Sequence, residues 1–160
     1  MKKVLKPILV GLLVTFVVIQ FIARPEKISE PVNENDIISV LEIEGPIATM
    51  LKSACYDCHS DQPRYPWYAS VAPVSWKIGE HIEEGRDELN FSKWSTYSAK
   101  RRDHKLEEMV EEVEEGKMPQ PNYVRMHSEA KLTDEQVASL KTWVTAERAK
   151  IAPELAEAMN

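Results

Sequence analysis

Both cysteines of the 160-residue chain lie in one five-residue motif, Cys55-Tyr56-Asp57-Cys58-His59. In the pattern C-x-x-C-H, two thiols one helical turn apart can add to the two vinyl groups of a haem. The adjacent imidazole is then positioned to bind the iron from one axial side. The motif therefore predicts one covalent haem c, with Cys55 and Cys58 as attachment residues and His59 as the proximal ligand.

Three other uses of the two thiols stay open at this point. A thioredoxin-like dithiol occurs between a strand and a helix, whereas the pattern around Cys55 and Cys58 is helical on both sides. A structural zinc site would need two distant histidines and would leave His59 idle beside the ligands. A disulfide between the two cysteines would close a very small loop and stabilise little. The haem interpretation alone uses all three side chains of the motif.

Met118 is the favoured distal ligand. It follows a predicted helix end at Gly116 and precedes Pro119, so its side chain lies on a stiff loop. Met109 fits the apolar stripe of a helix and is predicted to be in the core. Met50 lies too close to the attachment motif to reach the far side of a haem.

The remaining distal candidates are a second loop methionine and three histidines: Met126, His81, His104 and His127. A lone histidine on a helix is more often a surface or core residue than a ligand. An open or water-bound site is the last alternative.

The first 23 residues are strongly apolar after a basic start. Lys2, Lys3 and Lys6 precede a run that extends to Ala23, and the stretch is close to the roughly 20 residues that span a hydrocarbon core. A cleaved signal peptide is the alternative, but the small-x-small cleavage pattern before Arg24 is poor. We expect residues 1–23 to form a single transmembrane helix in the cell inner membrane, with the rest of the chain on the periplasmic side.

The rest of the chain is predicted to be helical. Two prolines and several charges predict that residues 24–36 form a linker. Residues 37–152 are expected to form the haem-binding domain, and residues 153–160 a C-terminal tail. Apolar spacing of three and four residues predicts four helices. These begin at Gly45-Pro46, cover residues 73–84 and 98–115, and run from a capping box at Thr133 to Pro153. The expected fold class is all-α.

The charge balance constrains the partners. The whole chain has a net charge of -6, but the three lysines before Ala23 mask a more acidic remainder. Residues 24–160 hold 26 acidic and 17 basic residues, a net charge of -9. This excess of acid argues against a nucleic-acid partner, because phosphate binding depends on clustered Lys and Arg. It favours a redox partner protein with a basic patch.

Several short motifs together resemble the bacterial haem-binding domain family, which is related to c-type cytochromes. The likeness covers roughly residues 37–147, and its motifs are CYDCHS at 55–60, PWY at 66–68, APVSW at 72–76, HI-x-EG from His81, LNFSKW at 89–94, GKMP at 116–119 and the LTDEQ helix start. The resemblance implies a small cytochrome c-like helical domain. It carries the attachment and axial roles onto Cys55, Cys58, His59 and Met118. The long aromatic insert after His59 departs from ordinary cytochromes c.

The leading hypothesis is a membrane-tethered monohaem c-type cytochrome that transfers single electrons and is not an enzyme. The alternative is a haem-based sensor or small-ligand-binding module in which Met118 is displaced from the iron. A third hypothesis is a peroxidase-type enzyme with an open distal side and His81 as the acid or base.

Overall fold

Residues 2–22 and 24–158 are described by a computed structural model. Over this part of the chain 71% of the residues are helical, in eight α-helices and three short 3₁₀ turns, and there is no strand. The prediction of an all-α architecture is therefore confirmed.

The first helix, α1 (Lys2–Ile19), corrects the membrane prediction. It is 18 residues long, and at 1.5 Å per residue its length is about 27 Å, which is shorter than a hydrocarbon core of about 30 Å. It also carries three lysines. Within residues 2–22 and 24–158, no helix has both the length and the apolar character needed to cross a membrane. The expected single transmembrane helix, and with it the inner-membrane location, is wrong.

The segment after α1 contacts the helical domain along its length. Gln20 exchanges two hydrogen bonds with the backbone of Ala72, at 2.9 and 3.2 Å. The Trp76 indole donates to the Ile22 carbonyl, and the Tyr65 hydroxyl donates to the Ile28 carbonyl. Residues 20–22 and 24–30 thus lie against the domain rather than extending away from it.

Seven further helices follow, and their bounds are α2 (Ile37–Val40), α3 (Gly45–Ala54), α4 (Tyr56–His59), α5 (Val74–Glu88), α6 (Ala99–Glu114), α7 (Pro121–Met126) and α8 (Asp134–Ala158). The 3₁₀ turns are Trp67–Ser70, Phe91–Thr96 and Ser128–Ala130. All four predicted helices are present, with differences at their ends.

Capping residues set several of these ends. Ser98, the first residue of the predicted range, is the N-cap of α6, and its side chain accepts from the Arg101 amide. Thr133 and Gln136 exchange side-chain-to-backbone hydrogen bonds of 3.2 and 2.9 Å, which is the predicted capping box of α8. At the other end, α8 does not stop at Pro153 but continues to Ala158.

Two helix boundaries near the motif also differ from expectation. Cys55 lies between α3 and α4 with φ -122° and ψ -39°, so the two cysteines are not on one continuous helical face. Helix α5 does not close at Gly85 but extends to Glu88.

The core forms where α6 packs on α8 and α4 packs on α5. Leu106 and Val113 on α6 meet Leu140 and Val144 on α8, and all four are buried. The aromatic insert supplies the largest buried side chains, including Trp94 and Phe91. Helix α6 is joined to α5 by the ion pair of Lys105 with Glu88, at 3.3 Å.

Candidate functional site

The imidazole of His59 is held in one orientation by helix α5. Its Nδ1 lies 2.8 Å from the Gly85 carbonyl oxygen and 3.0 Å from that of Leu89. Carbonyl oxygens only accept, so Nδ1 carries the proton and Nε2 keeps the lone pair. Burial lowers the pKa of His59 below its ordinary value of 6.5, so that the ring is neutral. A neutral ring with a free Nε2 is the form that binds a metal.

The thiols of Cys55 and Cys58 are both free and half-buried. Burial, with a smaller contribution from Cys58, raises the pKa of Cys55 to about 12. Burial also raises the pKa of Cys58 to about 11, and the negative charge of Asp57 adds to the shift. Both side chains are protonated at neutral pH. This opposes the dithiol alternative, since a redox-active cysteine pair needs a lowered thiol pKa.

A cavity of about 330 Å³ brings three of the four predicted site residues together. Cys55, His59 and Met118 all line it. Its other walls are the apolar Ala54, Leu89, Phe91, Met109, Val113 and Pro119 and the charged Glu88, Lys105, Glu108 and Glu112. A lining that is mostly apolar, with a few charged side chains, suits a largely apolar ligand.

A second cavity of about 500 Å³ contains the fourth predicted residue. Cys58 lines it together with His81, Glu84, Gly85, Asp87 and Gln120. It shares His59, Glu88 and Met118 with the first cavity, so the two adjoin. The two cysteines therefore line adjoining cavities that share His59.

Met118 is placed by the end of helix α6. Gly116 has φ +70°, a left-handed conformation that glycine adopts without strain. This turn lets the amides of Lys117 and Met118 both donate to the Glu112 carbonyl at 3.0 Å. The helix end thus fixes the backbone of Met118, and its half-buried side chain lines both cavities.

The three histidines considered as alternative distal ligands lie in different surroundings. Only His81 among the three histidines lines either cavity, and its buried Nδ1 has no hydrogen-bond partner in the described chain. His104 is exposed and lies 3.2 Å from Glu108. The His127 ring nitrogen Nε2 is 3.0 Å from the Tyr68 hydroxyl, which occupies it.

The methionines other than Met118 also differ from one another in their burial. Met50 is 3% exposed, in the core, and Met126 is 65% exposed. Met109, which its helical spacing predicted to be core, packs against the core and also lines the first cavity with Met118. Apolar periodicity marks the inward face of a helix but does not distinguish a packed core from a cavity wall.

The zinc alternative finds no support in the geometry. Throughout residues 2–22 and 24–158, no three side chains among His, Cys, Asp and Glu converge as a metal ion would require.

Sequence reasoning missed three residues that shape the site. Gly85 and Leu89 supply the carbonyls that orient His59, and Asp57 binds Arg64 and Tyr123 beyond the cavities. The signal for Gly85 was present in the HI-x-EG motif. The partners of Asp57 have no local sequence pattern.

Comparison with known families decides the affiliation of the chain. Residues 14–146 match the model of the haem-binding domain family, most of the sequence. The chain belongs to the haem-binding domain family. No curated protein and no solved structure matched it. This haem-binding domain includes all four predicted site residues, as well as Gly85 and Leu89, within the matched range.

Proposed function

We propose that this haem-binding domain holds one haem covalently through Cys55 and Cys58, binds its iron through His59 and Met118, and transfers single electrons. The observation that carries the proposal is that Cys55, His59 and Met118 line one cavity, with Cys58 in the adjoining one. These are the attachment and axial side chains that a c-type haem requires.

The thiols supply the attachment. Each thiol of Cys55 and Cys58 adds across one vinyl group: a sulfur–carbon bond forms, the π bond is lost, and the thiol proton ends on the other vinyl carbon. No electrons are gained or lost in this addition. The protonated state of both buried thiols means that each carries the hydrogen that the addition consumes.

The imidazole of His59 and the thioether of Met118 supply the axial positions. The two carbonyl contacts at Nδ1 hold His59 so that Nε2 is the metal-binding nitrogen, and such an outer contact also raises the basicity of the ligand. Occupation of both axial positions leaves no vacant site for a small molecule. A six-coordinate haem supplies one-electron transfer, with a potential raised by the sulfur ligand.

Absorption spectroscopy of the haem-loaded full chain tests the ligation. We expect a low-spin spectrum and a sulfur-to-iron band in the ferric form. Met118→Ala should abolish this band, whereas Met109→Ala, in the wall of the same cavity, should leave it intact. High-spin iron in the unaltered chain would contradict the proposal, and loss of the band in Met109→Ala alone would move the ligand to Met109.

Covalent attachment has its own test. Co-expression of Cys55→Ala/Cys58→Ala with a haem c maturation system should give a chain without haem staining after denaturing electrophoresis. The unaltered chain should stain, and so should Met118→Ala, because that residue takes no part in attachment. Staining of the double variant would refute the roles of both cysteines.

The charge of the domain supports a basic redox partner. Residues 24–160 have a net charge of -9, and Glu84, Asp87 and Glu88 lie around the second cavity. Attraction between an acidic domain and a basic partner accelerates association at low salt. Electron-transfer rates with a basic acceptor protein should therefore fall steeply as ionic strength rises, and a salt-independent rate would exclude this kind of partner.

A small-ligand-binding module is the second candidate function. The observation in its favour is that the second cavity adjoins Met118 and contains His81, whose Nδ1 has no hydrogen-bond partner within the described residues. In this alternative Met118 leaves the iron when a small gas binds. Carbon monoxide added to the reduced protein distinguishes the two: rapid, saturable binding supports the module, and no binding supports the electron carrier.

A further inference from the structure

The segment that follows Met118 has little apolar packing to hold it. Helix α7 (Pro121–Met126) begins three residues after Met118, and none of its six residues is buried. Burial of apolar side chains is the usual force that fixes a short helix. The position of this helix therefore depends on polar contacts.

The strongest of these contacts joins α7 to the haem attachment motif. The Tyr123 hydroxyl donates to Oδ2 of Asp57 at 2.6 Å, and Asp57 is only 8% exposed. Arg64 donates to both carboxylate oxygens of Asp57 and, at 3.2 Å, to the Tyr123 hydroxyl oxygen. A short hydrogen bond to a paired, largely buried carboxylate is among the stronger kinds in proteins.

The ring of Tyr123 is held separately from its hydroxyl. It stacks on His127 with ring centroids 4.2 Å apart and an interplanar angle of 23°. Burial, reinforced by the hydrogen bond to Asp57, raises the pKa of Tyr123, so the hydroxyl stays protonated and remains a donor. Removal of the hydroxyl alone would leave the stacking in place.

Met118 thus lies between two anchors. On its N-terminal side the Glu112 carbonyl accepts its amide at the end of α6. On its C-terminal side the first side-chain hydrogen bond to the attachment motif, within the described residues, is that of Tyr123 to Asp57. Asp57 itself stands between Cys55 and Cys58, so this contact connects the proximal motif directly to the distal loop.

We infer that Asp57 and Tyr123 are positioning residues whose hydrogen bond keeps the Met118 loop closed over the haem attachment motif. The inference rests on the proposed function in so far as Met118 is the distal ligand. Loss of the contact opens the loop more often and exposes the iron position that Met118 occupies. It leaves the attachment residues and the Met118 side chain unchanged.

Displacement of Met118 by added imidazole measures this opening in the haem-loaded full chain. Tyr123→Phe should raise the apparent imidazole affinity about ten-fold, which corresponds to the net value of one hydrogen bond to a charged group. Tyr65→Phe is the matched control, because its hydroxyl donates to the Ile28 carbonyl, away from α7. It should bind imidazole as the unaltered chain does. Equal affinities in Tyr123→Phe and Tyr65→Phe would overturn the inference.

Amide hydrogen exchange of the same proteins gives a second measurement that does not depend on the identity of the distal ligand. Tyr123→Phe should accelerate exchange over residues 119–127 and leave helix α3 (Gly45–Ala54) unchanged. Uniform acceleration across the chain would show a general loss of stability and would contradict a positioning role. If the unaltered chain lacks the sulfur-to-iron band, the proposed ligation fails, while exchange still decides whether the contact holds the loop.

A triple variant separates the hydroxyl from its two partners. Because Arg64 also donates to the Tyr123 hydroxyl, the reference protein is Asp57→Ala/Arg64→Ala. Adding Tyr123→Phe to this reference should leave the exchange rate over residues 119–127 unchanged, because the hydroxyl acts through these two residues. A further increase on adding Tyr123→Phe would show that Tyr123 acts independently of them and would overturn the inference.

Discussion

Gly85 lies so close to Cys58 that a Cβ built on it would be 2.7 Å from the Cys58 carbonyl oxygen. This approach lets the Gly85 carbonyl reach Nδ1 of His59 at 2.8 Å. In Gly85→Ala the added methyl group would clash with the backbone of Cys58, which is fixed within the fold, so α5 would have to shift. We expect the free energy of unfolding, measured by guanidinium denaturation, to fall by about 1–3 kcal/mol. The yield of covalent haem should fall with it, because His59 loses its orientation.

Gly11→Ala is the control for this prediction. A Cβ at Gly11, in the middle of α1, would meet no atom within 4 Å. Alanine is the better helix former, so this variant should be as stable as the unaltered chain or more stable by up to about 1 kcal/mol. Equal effects of the two substitutions would show that the contact with Cys58 is not what requires glycine at position 85.

Tyr56, the second residue of the attachment motif, donates a hydrogen bond to a fully buried carboxylate. Its hydroxyl donates to Asp36 at 2.6 Å, and Asp36 is 0% exposed. Tyr56→Phe should lower the free energy of unfolding by about 1.5–3 kcal/mol, because the buried carboxylate loses a strong donor. Tyr65→Phe, whose hydroxyl bond to Ile28 is exposed, should change it by less than about 0.5 kcal/mol. A Tyr56→Phe protein as stable as the control would show that the Tyr56 hydroxyl does not stabilise the buried carboxylate.

The local parts of the site could be predicted from the sequence. The spacing of Cys55, Cys58 and His59 and the placement of Met118 after a helix end are short-range patterns with direct chemical consequences. The capping box at Thr133 marked a helix start correctly because a cap acts within four residues.

Contacts between distant residues could not be predicted. Gly85 was predicted to end a helix, because glycine commonly closes helices. In the structure, the absence of a side chain at Gly85 lets its backbone lie close to Cys58, 27 positions earlier in the chain.

The apolar run before Ala23 predicted a membrane span. The helix instead ends at Ile19, and Gln20 bonds to Ala72, a contact that hydropathy does not encode. Pro153 removes one backbone donor but does not end α8.

Gln20 should control how firmly the following segment is held. Its amide makes two hydrogen bonds with the Ala72 backbone, a partner 52 positions away. Gln20→Ala should open this segment more often and accelerate trypsin cleavage after Lys27 about five-fold, since two partly exposed bonds contribute roughly 1 kcal/mol. Ser29→Ala, an exposed change in the same segment, should leave the rate unchanged. Identical rates in both variants would show that Gln20 does not hold the segment.

The pH dependence of stability should depend in part on the ion pair that joins α6 to α8. Arg148 donates to both carboxylate oxygens of Asp103, at 2.7 and 3.1 Å, and this bonding holds the pKa of Asp103 below its ordinary value of 3.8. A lowered pKa in the folded state adds stability that is complete well above pH 3.8 and disappears as the pH falls below it.

Asp103→Asn should therefore lower the free energy of unfolding by about 1 kcal/mol at pH 7 and by the same amount at pH 5.5, because the unaltered carboxylate is charged at both values. The difference between the two proteins should be smaller at pH 3, because the Asp103 carboxyl of the unfolded chain takes up its proton below pH 3.8 while the folded carboxylate is still resisting protonation. Urea denaturation at the three pH values measures it, and Glu111→Gln, an exposed change on the same helix, should show no difference at any of them. A deficit for Asp103→Asn that is as large at pH 3 as at pH 7 would mean that packing, not the charge on Asp103, joins the two helices here.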